Sequence, residues 1–341
     1  MSDAHPRPIG QRARRELRYL LVNVLLAVVV GTAILAVVNA RVVTATPETA
    51  TPPSSTSSAP SATATPTYTD GFARVVLRNV PPSATGVHVS FDDQYCVYLD
   101  QGVVHIRAVA DGREVKTITE AQPINYLMMY NDADLLVYFY NVGNSIHPNT
   151  YNITSDATMH YQPMAVAPGS VVVNAGYSVA TALLFVVTRA PGATDVAYRI
   201  NANLYVSPHA LGVNVVSFIP SATSTNLYYQ DSNDVLYYDY APAAAFRGQR
   251  VALMGRDAAD DYYVLSLSTN QVSVVTQTRT LKTFAIPPGA LNFYSSDAAV
   301  YAVYPDSVVD LTTAEPTTHQ FGVAGTFVAA TAHAIYLLPP A

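Results

Sequence analysis

The hydrophobic pattern divides the chain into three stretches. From Tyr19 to Val38 the residues are apolar without a charge, broken only by Asn23 and Thr32. Residues 44–70, "TATPETATPPSSTSSAPSATATPTYTD", are almost wholly Thr, Ser, Pro and Ala. From Gly71 to the end, short runs rich in Val, Tyr, Ile, Leu and Thr alternate with clusters of Asp, Asn, Ser, Gly and Pro. That last pattern predicts strands and turns throughout. No segment after the first stretch has the 3.6-residue period of an amphipathic helix.

The first stretch is long enough for a membrane helix. About twenty residues at ~1.5 Å each cross a ~30 Å hydrocarbon core. Arg7, Arg12, Arg14, Arg15 and Arg18 precede it, and only Arg41 follows for thirty residues. The positive-inside rule then places residues 1–18 in the cytoplasm as a short basic tail, 19–39 in the bilayer, and the remainder outside. A cleaved signal peptide would have a shorter apolar core, of about 7–15 residues. Residues 40–70 form no apolar face that could offset the entropy of ordering, so they read as an extended Ser/Thr/Pro stalk.

Residues 71–341 repeat. Strand-like runs "YCVYLD", "LLVYFYN", "LLFVVT", "NLYYQD", "YYVLSLS", "AVYAVYP" and "AIYLLPP" centre on Tyr98, Tyr138, Phe185, Tyr228, Tyr263, Tyr301 and Tyr336, at intervals of 35 to 47 residues. Each follows an apolar run and a polar turn, and all but the last precede a further run. Three or four strands every ~40 residues is the spacing of a propeller blade. The central runs are apolar at consecutive positions, as a strand covered on both faces requires. Outer runs such as "REVKTIT" and "TLKTFAI" alternate, as half-exposed strands do. The last repeat stops after two strands, and "FARVVLRNVPP" stands alone before the first. Joined, they complete one composite blade and leave no open sheet edge. The fold class expected is therefore all-β, a seven-bladed β-propeller behind one transmembrane helix and a stalk. Six blades and a tail are the count if the two ends do not meet.

"DSVVDLTTAEPTTHQF" and "VVHIRAVADGREVKTIT" resemble the inner-to-outer strand passages of YVTN- and WD40-like β-propellers. The resemblance implies the fold and, propellers being enzymes, receptors and scaffolds alike, leaves function open. The Trp-Asp dipeptide typical of WD40 repeats is absent, since the chain has no tryptophan.

Tyrosine instead is abundant, and "NLYYQDSNDVLYYDY" (226–240) carries five. Strand alternation splits them between two faces. The expectation is that Tyr229, Tyr238 and Tyr240 do not share a face with Tyr228 and Tyr237, a split suited to packing between blades and ill-suited to a single ligand platform.

Charge and motifs narrow the function. The net charge of −6 and the presence of only two lysines, Lys116 and Lys282, argue against a nucleic-acid partner. The single cysteine, Cys96, excludes an intramolecular disulfide and suits a buried strand position. Nucleophile elbows, H-E-x-x-H, P-loops and dinucleotide fingerprints are missing, and no motif implies a cofactor. The histidines lack metal-ligand spacing. Asp92-Asp93, Asp132-Asp134, Asp231-Asp234 and Asp257-Asp260-Asp261 are oxygen-rich, but they fall where turns are expected and turns favour Asp. Glutamate is confined to Glu114, Glu120 and Glu315 in the ectodomain, which gives a glycosidase little to work with. Asn152-Ile153-Thr154 is an N-glycosylation sequon.

These observations describe a single-pass membrane protein of a bacterial, archaeal or viral surface. The propeller outside would bind or scaffold a protein or glycan partner, with a glycan-directed glycosidase or lyase as the alternative. The longest stretches without strand character, 140–169 and 241–250, supply the candidate binding residues Tyr140, His147, Tyr151, His160, Tyr161, Phe246 and Arg247.

Overall fold

The structure, a computed structural model, describes residues 70–340 except 131–132, 277–278, 297–298 and 332. The basic tail (1–18), the expected membrane span (19–39) and all of the stalk but Asp70 lie outside the described residues.

Seven sheets follow one another along the chain. Blades 1 to 6 occupy 85–118, 124–165, 171–210, 215–242, 251–285 and 292–320. Each is an antiparallel meander of strands a to d, innermost to outermost. Blade 7 has three strands: Thr326–Ala330, Ala334–Leu338 and, from the other end of the described chain, Ala73–Val76. The chain is a seven-bladed β-propeller.

The b strands explain the architecture. Leu227–Asp231 is buried at every position, and Tyr95–Asp100, Leu135–Val142, Leu183–Arg189, Tyr262–Ser266, Val300–Val303 and Ala334–Leu338 are buried through their centres. Their large side chains point alternately to the preceding and the following blade. Seven hydrophobic clusters result, one at each junction, and the ring closes where Cys96 and Tyr98 of blade 1 meet Ala329 and Tyr336 of blade 7. Burial pushes the Cys96 thiol up to about 12, the nearby Arg107 easing it slightly, so this sulfur behaves as an apolar group. Strand a carries a register shift in six blades, from Thr85/His88 in blade 1 to Phe327/Ala329 in blade 7. Such bulges add twist where strands crowd the axis. The crowding also explains two glycines. A Cβ on Gly176 would sit 2.6 Å from Pro220 of the next blade, and one on Gly255 would sit 2.6 Å from Ser295.

Ring closure differs in detail from the sequence expectation. The strand Ala73–Val76 pairs with Ala334–Leu338 in parallel, with Ala73 opposite Ala334 and Val76 opposite Leu337. Its buried residues are Arg74 and then Leu77, while Val76 is 37% exposed. The guanidinium of Arg74 donates to both carboxylate oxygens of Asp70 and to the carbonyls of Phe72 and Gln320. Asp70 also contacts Nδ1 of His319 at 2.9 Å. The N-terminal strand is thus tied to the outermost strand of blade 6 by an internal Arg74–Asp70 pair that reaches Gln320 and His319, where burial of the neighbouring valines was expected.

The tyrosine-rich hairpin is corrected in register. Tyr228 stands opposite Tyr238 and Tyr229 opposite Tyr237. Tyr228 and Tyr238 therefore share the junction with blade 5, where Tyr228 lies 4.1 Å from the Tyr262 ring. Tyr229, Tyr237 and Tyr240 face blade 3. The split between faces holds; the membership of each face does not, because it depends on which residues form the turn.

Blade 2 also departs from expectation. The stretch 140–169 contains the strands Ser145–Asn152, Ala157–His160 and Met164–Ala165. The last two both pair with the first and form an outer strand broken at 161–163. Pro148 accounts for the break. Its carbonyl points outward to accept from Tyr161 N, so its missing N–H faces the same way and leaves the outer strand without a donor there.

Candidate functional site

Because strand a runs along the axis and the meander turns back at each step, all a–b and c–d turns lie on one face of the ring. This ab/cd face carries two cavities walled by several aromatic side chains. The first, about 270 Å³, is the mouth of the central channel. It is formed by the ends of strands a, with Tyr126, Tyr177, Phe218, Tyr294, His88 and Arg256 among its walls. Among the described residues no Asp or Glu lines it. Arg256 is buried and engaged: Nε donates to the Pro220 carbonyl at 3.1 Å, and Asp260 lies 3.9 Å away. Asp260 in turn accepts from Ser221, Ala222 and Thr223 of the neighbouring blade. His88 is held neutral. Burial lowers it to about 4, a hydrogen bond to the Leu127 backbone partly offsetting the effect.

The second cavity, about 400 Å³, opens between blades 2 and 3. Leu135, Leu184, Ile200 and Leu204 form its apolar floor and Met159 stands at its edge. Tyr130 and Tyr177, stacked at 4.0 Å and 12°, border both cavities and divide one from the other. Burial, and then the neighbouring Tyr161 and Tyr177, raise the Tyr130 phenol far above its ordinary value, so it stays protonated.

The seven residues singled out in the sequence do not form one site. Tyr161 lines the cavity between blades 2 and 3, and its hydroxyl accepts from Thr150 at 3.1 Å. His160, exposed on the adjoining strand, contacts Asn149 at 2.8 Å. Tyr151 is buried at the junction with blade 1 and donates to Asp156, which also pairs with Lys116. Tyr140 and His147 stack on each other at 5.0 Å toward the opposite face. Phe246 and Arg247 lie in the connection from blade 4 to blade 5, Phe246 against the core of that junction and Arg247 exposed. The residues the sequence reading did not assign to a binding site are Tyr130, Tyr177, Asn201 and Asn152, the last noted only in a glycosylation sequon, and they come together only through the register of two blades.

Members of the acidic clusters cap their own turns, as Asp92, Asp231 and Asp257 do, or reach across a junction. Asp93 accepts from Thr331 of blade 7, and Asp260 caps the blade 4 turn. Among the described residues no group of three His, Cys, Asp or Glu is placed to hold a metal ion. Glu114 pairs with Arg107 and His105 on the outer part of blade 1, Glu120 accepts from Tyr138, and Glu315 sits in a blade 6 turn.

Solved structures share this architecture. A catalytically inactive virginiamycin B lyase from Staphylococcus aureus, solved with quinupristin, superposes with a TM-score of 0.52 at 10% identity, covering 76% of this chain and 92% of its own. The selenomethionine form of that lyase gives 0.50 at 13% identity, over 73% and 88%. Saccharomyces cerevisiae Sqt1 gives 0.45 at 10% identity, over 69% and 72%. No family model matches the chain, and no curated protein matches it by sequence. At these identities the likeness is one of fold and carries no site residues across.

Proposed function

We propose that this chain is a single-pass membrane protein whose propeller is displayed outside the cell or virion, on a stalk, as a non-catalytic binding or scaffold module for a protein partner. The observation that carries the reading is the ab/cd face. Phe91, Met159, Val179 and Tyr205 are 50%, 47%, 43% and 71% exposed there, around the aromatic channel mouth. Exposed apolar side chains gathered beside aromatic cavities are what a protein contact desolvates. The dispersed glutamates, one on the outer part of blade 1, one against Tyr138 and one in a blade 6 turn, favour binding over glycoside chemistry.

Topology and contact are tested together on intact cells. Protease should release a fragment whose N-terminus lies within 44–70, and full protection of that stretch overturns the outward orientation. A photo-crosslinking amino acid at Met159 or Tyr205 should give a discrete protein adduct. The same group at Leu267 or Leu291, exposed on the opposite face, should not. Equal adducts from both faces overturn the assignment of the binding face.

A further inference from the structure

We propose that the cavity between blades 2 and 3 is a binding site for a neutral, mainly apolar small molecule bearing a hydrogen-bond acceptor, in the class of aryl ketones and aromatic esters. The site opens on the same face as the protein contact proposed above and shares Met159 with it, but it is argued from its own lining and tested by its own ligand.

Size comes first. A volume of about 400 Å³ lies within the ~300–1,000 Å³ range of small-molecule pockets. The walls decide polarity. None of the fifteen lining residues is charged, and aliphatic or aromatic side chains from both blades make up the floor and the inner wall. A charged ligand would leave water for a lining that, among the described residues, offers no counter-charge. A sugar would leave most of its hydroxyls unpaired.

The polar handles are two carboxamides of fixed orientation. Oδ1 of Asn152 accepts from the Ser155 backbone N–H at 2.8 Å. Oδ1 of Asn201 accepts from the N–H groups of Asn203 and Tyr205, at 3.0 and 3.1 Å. A backbone N–H can only donate, so both oxygens are identified and both side-chain NH₂ groups remain as donors. They belong to facing blades on the rim of the same cavity. The nearby Thr150 hydroxyl is already committed to Tyr161. An apolar ring would lie against the Tyr130–Tyr177 stack, and its acceptor oxygen would meet an amide at the edge. Nδ2 of Asn152 is also the atom a glycan would occupy in the sequon, so the test uses protein from a host that leaves it bare.

The experiment titrates the full-length chain in detergent with a dimethylamino-naphthyl ketone, a neutral probe that brightens and shifts to the blue when it leaves water. Saturable binding is expected, lost in both Ala157→Trp and Ala202→Trp, which fill the cavity from exposed positions. These two variants also measure the probe taken up by detergent. Their melting temperatures should match the unaltered chain, and either folded variant suffices. Asn152→Asp and Asn201→Asp keep the turn-forming oxygen and remove the donor, and each should weaken the ketone about three- to tenfold. An anionic naphthalenesulfonate should bind at least tenfold more weakly than the ketone. Saturable binding that persists in both tryptophan variants, equal affinity for the sulfonate, affinities unmoved by both Asp substitutions, or no saturable binding overturns the proposal.

Discussion

Removing the strand Ala73–Val76 should open the ring, and the size of the effect follows from what it buries. Leu77 is 1% exposed, and its loss from the core is worth about 2–3 kcal/mol. A chain beginning at Asn79 also lacks Arg74 and Asp70. The Gln320 carbonyl and His319, 5% exposed, then lose their partners, at about 1–3 kcal/mol each. Together these reach roughly 4–9 kcal/mol, against about 5–15 kcal/mol for a typical domain. The exposed edge of Ala334–Leu338, which receives hydrogen-bonding groups from Ala73 to Leu77, adds an aggregation-prone template. A chain beginning at Asn79 should therefore melt far lower than one beginning at Thr69, or precipitate. Single substitutions sharpen the test. Arg74→Met strands the Asp70 carboxylate and should cost about 2–3 kcal/mol, toward the low end for a buried pair because Asp70 is 22% exposed. Val76→Ser, on the open side of the same strand, should cost under about 0.5 kcal/mol. Chemical denaturation with a common m-value measures all four chains. Equal stability of the two truncated chains, or equal costs at 74 and 76, would refute closure by this strand.

Three further outcomes follow from named groups. The Tyr229 hydroxyl is buried without a partner among the described residues, so Tyr229→Phe should leave stability unchanged or raise it by up to about 1 kcal/mol. Tyr98→Phe, which removes the acceptor of Arg107 Nε at 2.8 Å, should lower it, and calorimetry that ranks them the other way contradicts the assignment. Asp195, fully buried, holds Arg189 at 2.7 Å and the Val215 N–H at 2.7 Å across the junction of blades 3 and 4, so Asp195→Asn should cost about 3–5 kcal/mol by denaturant titration. With His88 lowered to about 4, the unfolded chain takes up this proton near pH 6.5 and the folded chain only near 4. Its contribution is present above about pH 6.5 and lost as pH falls toward 4, by at most about 3 kcal/mol. His88→Phe should flatten that part of the stability profile, and an unchanged slope would show that another group titrates there.

The blade count was legible because it depends on period and burial alone. Consecutive apolar residues around Tyr98, Tyr138 and Tyr263 demand cover on both faces, and the repeat supplies it whatever the exact pairing. Register was less legible. Shifting the turn of the hairpin at 231–235 by one residue exchanges every side chain between faces, which is how Tyr237 and Tyr238 came to be transposed. Arg74 was missed for a related reason. In "FARVVLRN" the valines dominate the pattern, yet parallel pairing turns Arg74 inward, where Asp70, four residues earlier, and two carbonyls satisfy it.

The candidate site was hidden for a stronger reason: its residues are ordinary in sequence. Asn152 and Asn201 look like turn formers, and each does form a turn; the unused half of each amide becomes informative only once blades 2 and 3 are set side by side. Tyr130 and Tyr177 likewise read as core residues, and the blades stack one on the other. Tyr161 was found because it sits in a stretch without strand pattern, but the cause of that lapse is Pro148 on the adjacent strand, whose absent N–H breaks the outer strand at that point. The missing backbone donor at Pro148 thus falls where the outer strand breaks, beside Tyr161 of the cavity lining, and the polar groups of that lining determine what the cavity can accept.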